Sequence, residues 1–408
     1  MPACREVERP SLIATRWYAV YCTGIPTALQ STRPPEVGDS RSMQNSAGFG
    51  IIRVLRRKTV AMSYREALNY IAQKTPVIEL YDQLGARVAV CPEWNGRIMT
   101  TACEGLEGES FGCIDVHAVE SNRFENFGGE DHWTISPLIH TFNVESIKES
   151  QAVLQRTISM TDTRGKRVEL NLTRKISLLS RKKIGVWFGK TVADALELED
   201  VSAVGFRTEN TVKVNEKAHI AGRLRGMYNA TPHTFVIVST PAKNWTAESL
   251  MKDTVPFNIN YLGGSPHGRT RYVPQALLIQ ADGDGRCQVT LPYSAAPPIL
   301  GAVDFGAGTL TLWTFDVPGN AEDTHSDEDL IRIYNSGRIQ TNRTGEVDWL
   351  RYFELNCFSE AQKLLPEEMF VYRQHTLHLI ADNRTLGDCI REIFDVPLEQ
   401  FPKRARRT

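Results

Sequence analysis

The chain has 408 residues and a formal net charge of −1, from 47 basic and 48 acidic side chains. Because positive and negative charges are nearly equal in number, the protein has no net electrostatic potential that would attract nucleic-acid phosphates or anionic lipids. We therefore expect neither nucleic acid nor a membrane as a partner. The basic clusters at 53–58 and 403–407 are expected to be solvated surface, and residues 399–408 a basic tail.

The eight cysteines are scattered without a CxxC pair, in a chain long enough to bury a core without disulfides. Free thiols and a cytoplasmic location are therefore predicted. No apolar run approaches the length that crosses a bilayer, and Arg16 interrupts residues 12–21, the one stretch that resembles a secretory signal.

Residues 1–61 show no sustained helical or strand period, and the stretch 31–46 is rich in Ser, Pro, Gly and Arg. This composition buries too little apolar surface to offset the entropy of ordering, so disorder is predicted. Ser63 follows Met62 as a natural helix cap, and apolar residues then recur at helical spacing. The sequence favours Met62 as the physiological start; peptides from residues 1–61 in the native protein would contradict this.

From residue 62 to 398 the pattern predicts one domain built mainly from strands. Two hairpins are predicted, 77–81 with 87–90 and 151–160 with 167–176. In the second, apolar and polar residues alternate, which is typical of a sheet with one face in water.

Helices are predicted only after Met62, at 385–394, and as a short turn at 247–252. The chain has no βα repeat, so the fold class is all-β: one large antiparallel β-sandwich with few short helices. Further strands are predicted at 201–206, 211–214, 234–239, 272–280, 287–292, 299–305, 309–316, 352–356 and 369–380.

The segment 124–133, FENFGGEDHW, places Glu130, Asp131 and His132 directly behind two glycines and ends on Trp133. Glycines allow a tight turn that projects these groups together, which suits a polar ligand with an apolar face, such as a sugar. The alternative, an acidic turn that only ends a strand at the surface, stays open.

The sequence contains no nucleophile elbow, phosphate-binding loop, HExxH motif or Rossmann glycine fingerprint. Nucleotide-dependent and serine-hydrolase chemistry is therefore not expected. His375 and His378 are three residues apart on a predicted strand, so their rings face opposite sides and cannot share a metal. We predict no metal and no cofactor. Trp313 alternates with polar residues on another strand and is expected in the core.

Several segments, taken in order, resemble a family of uncharacterised, mainly bacterial proteins with a galactose-mutarotase-like fold. The most specific are NGRIMT, the GGED block, and the YFEL strand followed by PEE and a histidine-bearing strand. The resemblance extends over residues 62–396 and implies a β-supersandwich whose concave face binds carbohydrate in true mutarotases. The family has no assigned reaction, and the ISPLIH sequence after Trp133 departs from its pattern.

The resemblance also implies functional residues. Glu354 lies on the late strand where mutarotase-like enzymes carry their general base. Opening a cyclic hemiacetal needs that base and a proton donor to the ring oxygen, so we expect His132 as the acid, with His140 as its substitute. The positions that match family motifs are Asn95, Arg97, Glu130, Asp131 and His378.

The expected partner is a small-molecule saccharide. Glu130 and Asp131 would accept from its hydroxyls, Arg97 would donate to a hydroxyl or an acidic substituent, and Trp133 would stack on the ring. His267 lies in a long Gly-rich stretch that is either a lid or a plain surface loop.

Structural roles remain open for the same residues: Glu354 in a salt bridge to a neighbouring strand, Arg97 as a buried partner of Glu130, and His132 bonded to a loop carbonyl. The function is accordingly either that of a carbohydrate-active enzyme or that of a carbohydrate-binding protein without turnover. The enzyme would be an aldose epimerase, or a hydrolase or lyase on the same face.

Overall fold

The computed structural model describes residues 62–132, 140–239, 269–292, 298–316, 329–336, 350–358 and 362–402. The predictions made for residues 1–61, Trp133, residues 247–252, His267 and residues 403–408 lie outside these ranges.

Within the described ranges the chain forms twenty strands and five α-helices. The strands are β1 (Ile78–Tyr81), β2 (Arg87–Cys91), β3 (Arg97–Ala102), β4 (Gly129–His132), β5 (Asn143–Lys148), β6 (Gln151–Thr161), β7 (Arg167–Leu178), β8 (Ser202–Val214), β9 (Ala218–Ile220), β10 (Arg223–Asn229), β11 (Thr234–Ser239), β12 (Thr270–Val273), β13 (Ala276–Gln280), β14 (Cys287–Pro292), β15 (Ile299–Asp304), β16 (Thr309–Phe315), β17 (Asp329–Asn335), β18 (Tyr352–Phe358), β19 (Gln362–Leu364) and β20 (Met369–Ile380). The helices are α1 (Tyr64–Ala72), α2 (Val116–Glu120), α3 (Arg181–Phe188), α4 (Lys190–Ala195) and α5 (Asn383–Phe394).

The helix predicted after Met62 is confirmed as α1. Ser63 caps it through a capping box, in which the Ser63 hydroxyl accepts from the Glu66 backbone N–H at 3.3 Å. In return, a Glu66 carboxylate oxygen accepts from the Ser63 backbone N–H at 2.8 Å. The two bonds satisfy N–H groups that the first turn of a helix leaves unpaired.

Two large sheets make up the domain, and every described pair of neighbouring strands in them is antiparallel. The eight-stranded sheet has the order β1-β2-β3-β4-β10-β18-β17-β14, and the ten-stranded sheet the order β12-β13-β11-β15-β16-β20-β8-β7-β6-β5. Apolar side chains from both sheets form the main core, among them Leu224 and Leu355 from the first sheet and Leu170 and Trp313 from the second. The predicted antiparallel sandwich is confirmed.

The β6–β7 hairpin pairs as predicted, from Gln151 opposite Ser177 to Thr161 opposite Arg167. Its apolar row is buried, but Arg174 occupies a position in that row and is fully buried as well. An arginine among core aliphatic residues requires polar partners, so this position marks a polar region inside the sandwich.

The bounds of three predicted strands differ from those observed. Residues 201–206 and 211–214 belong to one continuous strand, β8, because the polar residues between them pair on one side with β7 and on the other with β20. The predicted strand 272–280 is instead a hairpin, β12 and β13, divided by a turn at Pro274 and Gln275. Proline cannot donate to a strand ladder, which explains the break.

Helices α3, α4 and α5 pack on the face of the ten-stranded sheet opposite the main core, where they form a second apolar cluster with residues such as Leu312 and Leu377. His375 points to this side and stacks on Trp187 of α3, with 3.6 Å between ring centroids. His378 points into the main core. The prediction that these two histidines face opposite sides is confirmed.

The ten-stranded sheet ends at β5, whose six residues are all exposed. Its pairing with β6 shifts register between Val144 and Ser146, a β-bulge. Val144 and Ile147 are exposed large apolar residues on this edge. Among the described helices, none is long and apolar enough to cross a membrane.

Candidate functional site

The two glycines of the GGED block are required by a close backbone approach. Gly128 has φ +101°, and a Cβ added there would lie 1.6 Å from the carbonyl oxygen of Cys113. Gly129 has φ +65° and would similarly meet the carbonyl oxygen of Ile98 at 2.3 Å. Residues with a Cβ cannot occupy these positions, and the tight passage sets where β4 begins.

The alternation of β4 sends its two carboxylates to opposite faces of the eight-stranded sheet. Glu130 pairs with Gly226 and Asp131 with Arg225 on β10. The side chains beside Gly226 on that strand, Leu224 and Tyr228, belong to the main core. Glu130 therefore faces the interior of the sandwich, and Asp131 faces the other side, which we call the outer face.

On the outer face, Asp131 forms a buried ion pair with Arg97. A guanidinium nitrogen of Arg97 donates to Asp131 Oδ2 at 2.7 Å, and the other donates to the carbonyl oxygen of Gly128 at 3.0 Å. The guanidinium also lies 4.4 Å from the ring centroid of Phe124. Burial lowers the pKa of Arg97, and the charge of Asp131 opposes that shift. The partner of Arg97 is thus Asp131; the alternative of a pair with Glu130 is wrong.

The pair is incompletely satisfied. Within the described part of the chain, neither Asp131 Oδ1 nor Arg97 Nε has a hydrogen-bond partner, and neither atom is accessible to solvent. A buried acceptor without a partner costs about 1–3 kcal/mol.

Beside this pair, Arg225 and Glu354 form a second one across adjacent strands. Arg225 Nε and Nη2 donate to the two oxygens of Glu354 at 3.1 and 2.6 Å, a bidentate arrangement. Asn356 Nδ2 donates to the same carboxylate at 3.3 Å. Burial pushes the pKa of Glu354 upward, but the charge and hydrogen bonds of Arg225 outweigh it, so the pKa lies below its usual value. Glu354 is ionised at neutral pH.

Three residues extend the outer face from Glu354 toward the solvent. Tyr334 lies opposite Glu354 on β17 and is half-buried. Arg332 lies opposite Asn356 on the same strand, and Arg223 donates to Asn356 Oδ1 at 2.7 Å; both arginines are half-buried. The outer face therefore combines charged groups, amide groups and one aromatic ring.

Glu130 belongs to a different environment, between the two sheets. Tyr228 donates to its Oε1, while Gln374 and Thr376 of β20 donate to Oε2 at 3.2 and 3.3 Å. Trp313 in turn donates to the Tyr228 hydroxyl at 2.9 Å. Burial raises the pKa of Glu130 to about 7, although these hydrogen bonds partly counter it. The two sheets are thus joined by a polar chain that runs through one titrating carboxyl group.

His378 also lies between the sheets. Its Nδ1 is 2.9 Å from the Thr311 hydroxyl, and its ring stacks on Phe111 with 4.5 Å between centroids. Burial lowers its pKa to about 3, so the ring is neutral. The sheet separates Glu130 and His378 from Glu354, so these three predicted residues do not form one site.

Asn95 and His140 lie next to each other at the start of β3. Asn95 precedes β3 and accepts, through its side chain, from the backbone N–H of His140 at 2.6 Å. Burial and the nearby Arg156 lower the pKa of His140. Because β3 and β18 are three strands apart, roughly 14 Å, the fold does not bring His140 to Glu354. The backbone of His132 ends β4 opposite Leu224.

A small cavity of about 50 Å³ lies away from the charged residues of the outer face. Glu109, Asp304, Phe111 and Tyr228 are among the residues that line it. Asp304 is already satisfied there by the hydroxyls of Thr231 and Thr234 and by turn N–H groups. Across the described ranges, no three His, Cys, Asp or Glu side chains are grouped as metal ligands would be.

Comparison with known proteins identifies the family. A model of a family of unknown function, DUF6786, matches residues 62–144 and 131–405. The chain belongs to this family. The uncharacterised family expected from the NGRIMT, GGED and YFEL segments is thereby confirmed, and a search of curated proteins found no match.

Solved structures with a similar fold include a protein from Synechocystis sp. PCC 6803, with 9% identity and a TM-score of 0.46, over 74% of this chain and 96% of that one. A putative aldose 1-epimerase from Escherichia coli K12 has 8% identity and a TM-score of 0.41, over 74% and 98% of the two chains. An aldose epimerase homologue from C. elegans has 8% identity and a TM-score of 0.43, over 76% and 100%. At these values the likeness is one of fold alone.

Sequence reasoning about this DUF6786 member missed Arg225 and Arg174. Arg225 lies on β10, a strand that was not predicted, because Gly226 interrupts its alternation. Arg174 had a usable signal, since it occupies a core position in the apolar row of a strand that was predicted correctly. A charged residue in such a row indicates a buried polar cluster, here close to Asp131 and Glu130.

Proposed function

We propose that the outer face of the eight-stranded sheet binds a saccharide through Glu354, Arg225 and Tyr334. The observation that carries the proposal is the ionised Glu354 carboxylate, held by Arg225 and placed opposite the half-buried Tyr334 ring. The carboxylate accepts from sugar hydroxyls, the guanidinium donates to them, and the aromatic ring covers the apolar face of a pyranose. These groups come from adjacent strands, which fix their spacing.

The direct test is binding. Isothermal titration and thermal unfolding with a panel of mono- and oligosaccharides should identify at least one ligand that raises the unfolding temperature, because a ligand that binds only the folded state stabilises it. At a ligand concentration of 100 times Kd the gain is about 2.7 kcal/mol. A panel without any binding saccharide would contradict the proposal.

Turnover at the anomeric centre is a second candidate, because Glu354 is an ionised carboxylate, although the ion pair with Arg225 that lowers its pKa also makes it a weaker base. A general base must be ionised before it can accept the anomeric proton, and Arg225 keeps Glu354 in that state. The two candidates make different predictions for Glu354→Gln. If Glu354 is the base, the variant binds the sugar but no longer accelerates anomer exchange in polarimetry or NMR; if it only accepts hydroxyl bonds, the affinity falls by about tenfold.

The matched control is Glu145→Gln, which removes a carboxylate from the exposed edge strand β5. It should change neither affinity nor exchange rate. Equal behaviour of the Glu354 and Glu145 variants would remove Glu354 from the site. An exchange rate that never exceeds the spontaneous one, in the presence of demonstrated binding, would leave a binding protein without turnover.

A further inference from the structure

A small two-stranded sheet, formed by β9 and β19, directs a histidine ring away from the main core. His219 lies opposite Lys363 in this sheet. The neighbours of His219 on β9, Ala218 and Ile220, are buried in the main core, so strand alternation sends the His219 ring to the other side. The Lys363 side chain projects on that side as well, because residues directly opposite each other on paired strands share a face.

The His219 ring is buried without a hydrogen bond. The residue is 8% exposed, and its Nε2 is inaccessible to solvent and has no hydrogen-bond partner in the described part of the chain. Lys217 and Lys363, on the same side of the small sheet, are exposed, so the ring lies directly beneath long side chains that reach the solvent. A buried polar atom without a partner is destabilising, and a ligand atom that bonded to Nε2 would remove that cost.

The turn between β6 and β7 is fixed against β9. The backbone N–H and the hydroxyl of Thr163 donate to the carbonyl oxygen of His219 at 3.1 and 3.2 Å. Asp162 Oδ2 accepts from the backbone N–H of His219 at 3.0 Å. Asp162 Oδ1 accepts from the backbone N–H groups of Arg164 and Lys166, both at 2.9 Å. These bonds hold the turn, and with it the exposed Arg164, beside His219.

Three cations from separate segments surround the ring: Arg164 in the turn, Lys217 just before β9, and Lys363 on β19. All three are exposed, and we call them the cation cluster. Burial lowers the pKa of His219, the charges of the cation cluster lower it further, and the charge of Asp162 opposes them. Positive charge thus collects around a ring that would itself become positive on protonation.

No anion within the described ranges is paired with this cluster. Lys166 and Glu216, which lie in the same turn and strand approach, pair with each other at 2.7 Å. Lys166 Nζ also donates to the carbonyl oxygen of Lys217 at 3.0 Å. The ion pairs of the described residues include none of the three members of the cation cluster. An external anion would therefore relieve the repulsion at this point of the surface.

We infer that His219 and the cation cluster bind the phosphate group of a small molecule. The long, flexible side chains of the cluster turn toward the anion, and the protonated His219 ring donates to it from Nε2. A phosphate presents several oxygens to donors that approach from separate segments, whereas a planar carboxylate is matched best by one guanidinium. This site shares no residue with the proposed saccharide site and does not depend on it.

The test follows the His219 ring in the full chain by NMR, with carbon-13 in the histidine rings and His219→Gln to identify the signal. Inorganic phosphate, added at constant ionic strength, should shift this signal with a saturable dose response. It should also raise the pH midpoint of the His219 titration, because an adjacent anion stabilises the imidazolium. Acetate and chloride at equal ionic strength should leave both quantities unchanged.

The affinity should in turn depend on pH. Anion binding and His219 protonation favour each other, so the affinity is highest where the ring is protonated and falls as the pH rises. Sulfate is the suitable probe, because its charge stays constant between pH 5 and pH 7. Its Kd should be lower at pH 5 than at pH 7, and in His219→Gln this difference should disappear.

Variants of the cation cluster assign the affinity to residues. In Lys363→Gln and in Arg164→Gln the Kd for phosphate should rise about tenfold, because each loses one charge-assisted bond. The matched control is Lys175→Gln, which removes an exposed lysine near the opposite end of β7 and should keep the wild-type Kd. If one cluster variant does not fold, the other variant and the NMR titration of the wild-type chain still decide.

Two sources of the phosphate group are distinguished by comparing inorganic phosphate with glucose 6-phosphate. A lower Kd for the ester indicates a phosphorylated metabolite, and a lower Kd for the inorganic ion indicates free phosphate. The inference is overturned if neither ligand shifts the His219 signal, or if acetate shifts it equally. It is also overturned if Lys363→Gln and Arg164→Gln bind phosphate as tightly as the Lys175 control variant.

Discussion

Removal of the Asp131 carboxylate is expected to lower the free energy of unfolding by about 3–5 kcal/mol. In Asp131→Ala the guanidinium of Arg97 keeps its charge but loses its ion pair, while it stays buried under Phe124. Such an uncompensated charge is much more expensive than the loss of one contact, because desolvation is no longer offset. Urea unfolding of the wild type and the variant, followed by circular dichroism, measures the difference.

The design includes two controls. The double variant Arg97→Met with Asp131→Leu should recover most of the lost stability, since it removes both buried charges and retains apolar volume. Glu107→Ala removes one member of the exposed Arg65–Glu107 pair and should cost less than about 1 kcal/mol. If the Asp131 and Glu107 variants lost equal stability, or if the double variant were the least stable, the buried-pair account would be wrong.

Stability should also depend on pH through Glu130. Its pKa is raised from 4.5 to about 7 in the folded protein, so the folded state binds this proton more tightly than the unfolded state. The contribution of protonated Glu130 to the free energy of unfolding is fully present below pH 4.5, and it is lost as the pH rises to about 7. At 1.36 kcal/mol per pKa unit, the loss across this window is about 3 kcal/mol.

The comparison with Glu130→Gln isolates this group. The amide has nearly the same shape and does not titrate; its oxygen can still accept from Tyr228, while its NH2 group replaces the oxygen that accepts from Gln374 and Thr376. The variant should therefore gain stability relative to the wild type between pH 5 and pH 8. Buried neutral His378 acts with the opposite sign, since its lowered pKa costs stability as pH falls below 6.5, but it is common to both proteins and cancels in the difference. A difference that does not vary with pH would contradict the prediction.

The periodicity of apolar residues in the sequence was sufficient to predict the β-sandwich. Regular alternation of apolar and polar residues predicted the β6–β7 hairpin, although Arg156 and Arg174 interrupt its apolar rows, and β20 was predicted with its observed bounds. Helices α3 and α4 were missed, since each is short and the chain around them carries no strong cap: Ser180 and Gly189 provide no side-chain cap bond. Such helices depend on tertiary packing more than on local sequence.

The candidate site was predictable only in part. The sequence singled out Glu354 and Asp131, and the fold places both on the outer face, with β10 between their strands. The sequence analysis also placed Glu130 and Asp131 in one site, although adjacent residues on a strand face opposite sides. The arginine between Asp131 and Glu354 was not found, because the neighbours of a strand in space depend on the order of strands in the sheet. That order is set by long-range packing rather than by local pattern.

The irregular edge at β5 has a consequence for the behaviour of the protein in concentrated solution. Among the described strands none pairs with the outer side of β5, and a partly apolar edge of this kind can act as a template on which foreign strands polymerise. The bulge between Val144 and Ser146 distorts the spacing of the backbone N–H and C=O groups of this strand, and Lys148 adds a charge at its end. The edge is therefore poorly suited to continued growth, which protects this wide sheet against fibrous aggregation.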